Sequence, residues 1–141
     1  MTFRLGEEEF GVDIIQVQEI IRIPKITSVP QVPEHIKGII NLRGRIIAAM
    51  DLARRFGMQT KDADEDSRII ILEVGQSIIG MIVDSVSEVI RISSANVELA
   101  PEIIKSEIRA DYIKGVGKIG ERMLILPNLE RIITEEGTSL S

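Results

Sequence analysis

Cysteine is absent, so the chain has neither a disulfide framework nor a thiolate site. Tryptophan is absent too, and three Phe with one Tyr make up all the aromatic content. That leaves almost none of the stacking surface on which single-stranded nucleic acid is held. His35 is the only histidine. A Ser or Cys nucleophile would therefore depend on one imidazole beside a Pro-rich stretch, where a surface residue is the simpler expectation. Basic charge is in deficit: the net charge of −5 argues against a nucleic-acid binder, which needs Lys and Arg to neutralise phosphates. No apolar run approaches the roughly 20 residues of a membrane span, and the start of the chain lacks a signal-peptide pattern. These features fit a cytoplasmic protein.

What is abundant is aliphatic and β-branched: 27 Ile and 10 Val. Such residues favour the pleated, half-buried surface of a sheet. The 141 residues suffice for one domain, and a chain of this size buries about two-thirds of its unfolded surface.

Residues 35–56, HIKGIINLRGRIIAAMDLARRF, read as strand, corner, strand and short helix. Ile36, Ile39 and Ile40 lead into the corner Asn41-Leu42-Arg43-Gly44, and Arg45 to Met50 is the returning run. The pattern predicts a hairpin with a loop longer than two residues. Asp51 offers an N-cap, and Gly57 ends the turn of helix that follows.

The arrangement recurs. Ile36-Lys37-Gly38 is matched by Ile113-Lys114-Gly115, Asp51 by Asn128, Leu52 by Leu129 and Arg54 by Arg131, all at an offset of 77. Upstream, residues 17–23 match residues 86–92 at an offset of 69. The two offsets differ by 8, which marks a longer connection within residues 93–111 of the second copy. Two copies of a β-rich unit suit a duplicated small barrel better than a solenoid, which needs three or more units. The polar stretch at residues 58–67, MQTKDADEDS, is the expected linker between copies.

Other segments follow from local chemistry. Residues 3–5 and 10–14 predict a hairpin about Gly6, and residues 68–74 and 77–83 another about Gly75-Gln76. Residues 17–23 fit either a strand or a helical turn. Pro24, Pro30 and Pro33 make residues 24–34 irregular, and Pro101 opens a helical turn at 102–105.

Two motifs invite chemistry and fail on context. Gly115-Val116-Gly117-Lys118-Ile119-Gly120 fits G-x-G-x-x-G, but a dinucleotide fingerprint must open a helix. Here an apolar, strand-like run follows and ends at Pro127, so these are hairpin glycines. The acidic run Asp62-Ala63-Asp64-Glu65-Asp66 lacks the Gly and Glu that a calcium loop needs at its sixth and twelfth positions. No catalytic constellation, metal site or cofactor site emerges. Two features stand apart: Glu19 lies one segment upstream of the corner carrying Arg43, and Gly38 and Gly115 recur at one place in both copies, as at a bulge or close backbone approach.

The strings GEEEFGVDIIQVQEI, IKGIINLRGRI with MDL, GMIVDSVSEVI and ERMLILPNLERI, in that order, resemble the CheW family of chemotaxis coupling proteins. The resemblance covers residues 2–133. It implies a mainly β fold spanning residues 1–141: two SH3-like five-stranded β-barrel subdomains packed together, with short helices. It implies no enzyme activity and no cofactor. It further implies a scaffold that couples the cytoplasmic helices of methyl-accepting chemoreceptors to the regulatory domain of a chemotaxis histidine kinase. Such a protein is cytoplasmic, is recruited to membrane-associated receptor arrays and contacts neither the membrane nor nucleic acid directly. The alternative is a CheW-like regulatory module belonging to a larger kinase or receiver-containing coupling protein. By position, Val17, Glu19, Gly38, Arg43 and Val89 match receptor-binding residues, with Glu19 and Arg43 forming a salt bridge. Gly80, Glu98, Glu102 and Ile103 match kinase-binding positions. There the sequence departs from the family, because relatives can be basic where Glu98 stands and aromatic where Ile103 stands.

Overall fold

The structure, a computed structural model, describes residues 1–90, 97–98 and 112–134. It is mainly β. In chain order the strands are β1 (Thr2–Leu5), β2 (Glu8–Gly11), β3 (Val17–Arg22), β4 (Ile36–Leu42), β5 (Arg45–Asp51), β6 (Arg68–Val74), β7 (Ser77–Val83), β8 (Ser85–Val86), β9 (Val97–Glu98), β10 (Ile113–Ile119) and β11 (Arg122–Pro127). Two short helices, α1 (Leu52–Arg55) and α2 (Leu129–Thr134), follow β5 and β11. Residues 17–22 are thus strand rather than helical turn.

The strands form two sheets, ordered β8-β1-β2-β11-β10-β9 and β3-β6-β7-β5-β4. Each is the sheet of one β subdomain, and neither subdomain coincides with one copy of the repeat. The hairpin β1–β2 belongs to the first copy but lies between β8 and β11 of the second. Reciprocally, β6–β7 belongs to the second copy and lies between β3 and β5 of the first. The expectation of one barrel per copy is corrected: the copies exchange their leading hairpins. The exchange is made through parallel pairings, β5 with β7 and β2 with β11.

Local chemistry explains each element. The four tight hairpins among the described residues have two-residue loops, closed by Leu5↔Glu8, Leu42↔Arg45, Val74↔Ser77 and Ile119↔Arg122. The β4–β5 loop is therefore shorter than its composition suggested. Arg43 and Gly44 both take positive φ, 53° and 86°, which matches the right-handed twist of the flanking strands. Asn41 Oδ1 accepts the Gly44 N–H at 2.8 Å and braces the turn. Asp51 Oδ1 accepts from Arg54 N at 3.3 Å and Asn128 Oδ1 from Arg131 N at 3.2 Å, so both expected N-caps form. The repeated Ile-Lys-Gly is a β-bulge in both copies: the register slips between Ile36 and Gly38 and again between Ile113 and Gly115.

β6 and β7 are buried on both faces, which is why residues 69–72 are uninterrupted Ile and Leu. Ile70, Leu72, Met81 and Val83 join the main core with residues from both sheets and both helices. Ile69 and Ile71 face a second core with Ile40, Ile47 and Ala49. The four aromatic residues stand in one row through the main core. Phe3 stacks on Phe10 at 5.4 Å between ring centroids, Phe10 on Phe56 at 5.5 Å, and Phe56 meets Tyr112 at 6.4 Å. Arg55 ends the row, its guanidinium 4.9 Å from the Tyr112 ring centre, while its Nη2 donates to Ile132 O at 3.1 Å. Arg55 and Ile132 are themselves 77 residues apart, so the two helices meet where the two copies do.

His35 is not on the surface as expected. It is 8% exposed, and its Nε2 has no hydrogen-bond partner among the described residues. Burial, with the nearby Arg55 charge adding to it, pushes its imidazole below the ordinary histidine range.

Candidate functional site

Glu19 and Arg43 meet. Arg43 donates from Nη1 to Glu19 Oε1 at 2.9 Å and from Nη2 to Oε2 at 2.5 Å, a bidentate pair. The guanidinium hydrogen bond holds the Glu19 carboxyl below its ordinary range, and the same bond raises Arg43. The sequence put the two near each other; the sheet order shows what they join. Glu19 is on β3, at one end of the order, and Arg43 is at the tip that links β5 to β4, at the other. The pair therefore bridges the seam where the sheet curls back on itself.

Two backbone irregularities aim these side chains. β3 slips register against β6 between Val17 and Glu19. The bulge leaves Val17 packed against the main core with Leu72, and sets Glu19 opposite Ile71, which belongs to the second core. Without it, Val17 and Glu19 would share one face. Arg43 takes a left-handed φ, which a residue bearing a Cβ adopts only at a cost in free energy. Gly6, Gly75 and Gly120 fill the corresponding first loop position in the other three hairpins.

The same seam explains Gly38. Thr27, beyond the end of β3, exchanges two backbone hydrogen bonds with Ile39 of β4, both 2.9 Å. A Cβ on Gly38 would meet the Thr27 carbonyl oxygen and lie 2.8 Å from Ile26 Cγ2. Gly38 is buried. Its missing side chain thus admits the chain segment that closes the seam, the close backbone approach expected at this glycine. Gly80 is buried as well, on the central strand β7, where a Cβ would come 2.8 Å from Ile69 Cγ2. It makes room for Ile69 in the second core and presents no surface for direct contact.

Val17 is half-buried, and Val89 is 62% exposed. Ile15, two residues before Val17 in the turn that precedes β3, is 87% exposed. Glu98 lies in β9, its backbone paired with Val116. Glu102 and Ile103 lie outside the described residues, as does the helical turn expected at 102–105.

One constellation was missed by the sequence reading. Arg122 donates to Glu9 from Nε at 3.3 Å and Nη2 at 2.5 Å, and from Nη1 to Glu88 Oε1 at 2.9 Å. Glu88 is the counterpart of Glu19 at the offset of 69, so the repeat carried a signal for it.

The motifs rejected as chemistry behave as structure. Residues 113–119 and 122–127 are the two strands of a hairpin, so the glycine-rich run opens no helix. Asp64 Oδ1 accepts from Asp66 N at 2.8 Å and Ser67 N at 3.2 Å, folding the acidic run into a turn. Among the described residues, no group of three His, Cys, Asp or Glu is placed to hold a metal ion. No helix among them is long and apolar enough to cross a membrane.

Comparison with known proteins agrees with this geometry. Over 140 residues the chain is 39% identical to a protein described as chemotaxis protein CheW from Klebsiella aerogenes, covering 99% of this chain and 84% of that one. A crystal structure of the scaffolding protein TtCheW from Thermoanaerobacter tengcongensis superposes with a TM-score of 0.88 at 40% identity, covering 96% of this chain and 92% of that one. Chemotaxis protein CheV3 from Helicobacter pylori is 30% identical over 128 residues, 89% of this chain but only 41% of that protein. Residues 1–137 match the family described as CheW-like domain. With two exchanged β subdomains, a bulge repeated in both copies and this match along almost its whole length, the chain belongs to the CheW-like domain family.

Proposed function

We propose that this protein is a non-catalytic scaffold that couples the cytoplasmic helices of chemoreceptors to the regulatory domain of a chemotaxis histidine kinase. What carries the reading is likeness over nearly the whole chain to proteins described as chemotaxis protein CheW and to one described as a scaffolding protein. The receptor docks on the face bearing Val17, the Glu19–Arg43 pair and Val89. Gly38 serves that face indirectly, by letting the seam close beneath it. The kinase is recognised by Glu98, Glu102 and Ile103, with Gly80 acting from the interior through the packing of β7. Exposed apolar side chains such as Ile15 and Val89 supply contact area, and the ion pair supplies orientation. Each contact has modest affinity, which repetition within an array multiplies. The protein works in the cytoplasm, at the membrane-associated receptor array.

Isothermal titration tests this with a receptor cytoplasmic fragment and a kinase regulatory domain, each added to the purified protein. Binding of both is expected, and binding of neither refutes the scaffold. A nucleotide-binding protein would instead show thermal stabilisation by a saturating nucleotide; no shift is expected.

A second reading is favoured by the match to CheV3, of which the chain spans 41%. The same unit then serves as a module within a longer coupling protein or kinase. Reading the coding sequence on both sides of this one separates the two.

A further inference from the structure

We infer that Arg122 is a positioning residue that fixes Val89 for receptor docking, as a second latch equivalent to the Glu19–Arg43 pair; this rests on the scaffold reading above. Three observations converge. Arg122 is 77 residues from Arg45, two beyond Arg43, and Glu88 is 69 residues from Glu19. The repeat thus places a Glu–Arg pair at corresponding hairpin corners of both sheets, carried by a different residue of each corner. The second observation is what Arg122 holds. Glu88 directly precedes Val89, the exposed apolar residue expected to meet the receptor.

The Glu88 backbone is itself clamped. Its carbonyl accepts from Thr2 N at 2.8 Å and Thr2 Oγ1 at 3.0 Å, and its N–H donates to Thr2 Oγ1 at 3.1 Å. With its side chain on Arg122, Glu88 is held at both ends, and Arg122 is braced in turn by Glu9. A contact residue held before its partner arrives loses less freedom on binding. The third observation is apolar. Met123, next to Arg122, is 46% exposed, and its counterpart Ile46, three residues from Arg43, is 63% exposed. Each latch therefore carries an exposed apolar side chain beside it.

The test titrates a receptor cytoplasmic helical fragment into the wild type, Arg122→Ala, Val89→Ala and the double variant, with a kinase regulatory domain titrated in parallel. Arg122→Ala is expected to weaken receptor binding about tenfold. The double variant should bind within about twofold of Val89→Ala, because both changes remove one positioned contact. Kinase affinity should stay within about twofold of wild type. Should Arg122→Ala fail to fold, Glu88→Gln keeps the shape and removes the charge, and the same coupling to Val89 is expected. Wild-type receptor affinity in Arg122→Ala overturns the latch while leaving the scaffold reading intact. So do independent losses in the double variant, or a parallel fall in kinase affinity, which marks fold damage. A wild type that binds no receptor fragment overturns the scaffold reading and the latch together.

Discussion

The two sheets are copies of one arrangement, yet their seams are secured differently. In the sheet ordered β3-β6-β7-β5-β4, a single guanidinium meets a single carboxylate, and Arg43 takes the left-handed turn position to do so. In the other sheet the turn position goes to Gly120, and Arg122 reaches two carboxylates from an extended strand. The comparison teaches that duplication has kept the spatial pairing while the residue that makes it has moved. Arg43 aligns with Gly120 and Arg122 with Arg45, so a residue-by-residue alignment of the copies misses the equivalence. It also identifies the costlier seam. Arg43 could be relieved by glycine, as at the other hairpins, but only by giving up its grip on Glu19. Strained backbone of this kind concentrates where geometry serves function.

The largest expected effect breaks the first seam outright. Gly38→Asp sets a Cβ against the Thr27 carbonyl and a carboxylate in a buried position. Urea denaturation should show a loss of about 3 kcal/mol or more, with receptor binding lost alongside. A variant that keeps wild-type stability and loses only receptor binding would restore Gly38 to the contact surface.

Smaller effects compare the subdomain interiors. Gly80 and Gly11 are counterparts at the offset of 69. A Cβ on Gly80 would lie 2.8 Å from Ile69 Cγ2, whereas one on Gly11 would lie 3.3 Å from Leu126 Cδ2. Gly80→Ala should therefore cost about 1–2 kcal/mol, and Gly11→Ala less than about 1 kcal/mol. Equal losses would mean that the two interiors are packed alike.

The junction between the copies should respond to pH through His35. Its pKa is lowered in the folded state, so below about 6.5 the unfolded chain binds the proton more readily. The contribution of the neutral imidazole is complete above that pH and declines as the pH falls toward the folded value. Thermal unfolding between pH 8 and 5 should fall more steeply for the wild type than for His35→Gln. Parallel curves would show that His35 takes up its proton equally in the folded and unfolded states and adds no pH dependence.

Much of this was legible in the sequence. The β-branched composition gave the fold class, the offsets of 77 and 69 gave the duplication, and Asp51 and Asn128 marked both helix starts. The Glu19–Arg43 pair and the hairpin glycines of residues 115–120 were legible as well. Other features are tertiary and leave little local trace. The hairpin exchange follows from the parallel pairing of β5 with β7, which no periodicity encodes. Arg43 concealed a two-residue turn because such turns favour Asn or Asp before Gly. His35 was misplaced because its burial beside Arg55 depends on segments distant in sequence, whereas the bulge at Gly38 was legible and only the segment that closes on it, at Thr27, was not.

A double-mutant cycle on the first seam tests the central claim, that the Glu19–Arg43 latch organises docking more than it supports the fold. Receptor affinity would be measured for the wild type, Glu19→Ala, Arg43→Ala and the double variant, with thermal unfolding of each. The account predicts that either single variant weakens receptor binding about tenfold, that the double variant is within about twofold of the singles, and that the unfolding midpoints barely move. Independent, multiplying losses in affinity would contradict it: the pair would then have no joint role, and Arg43 would meet the receptor alone.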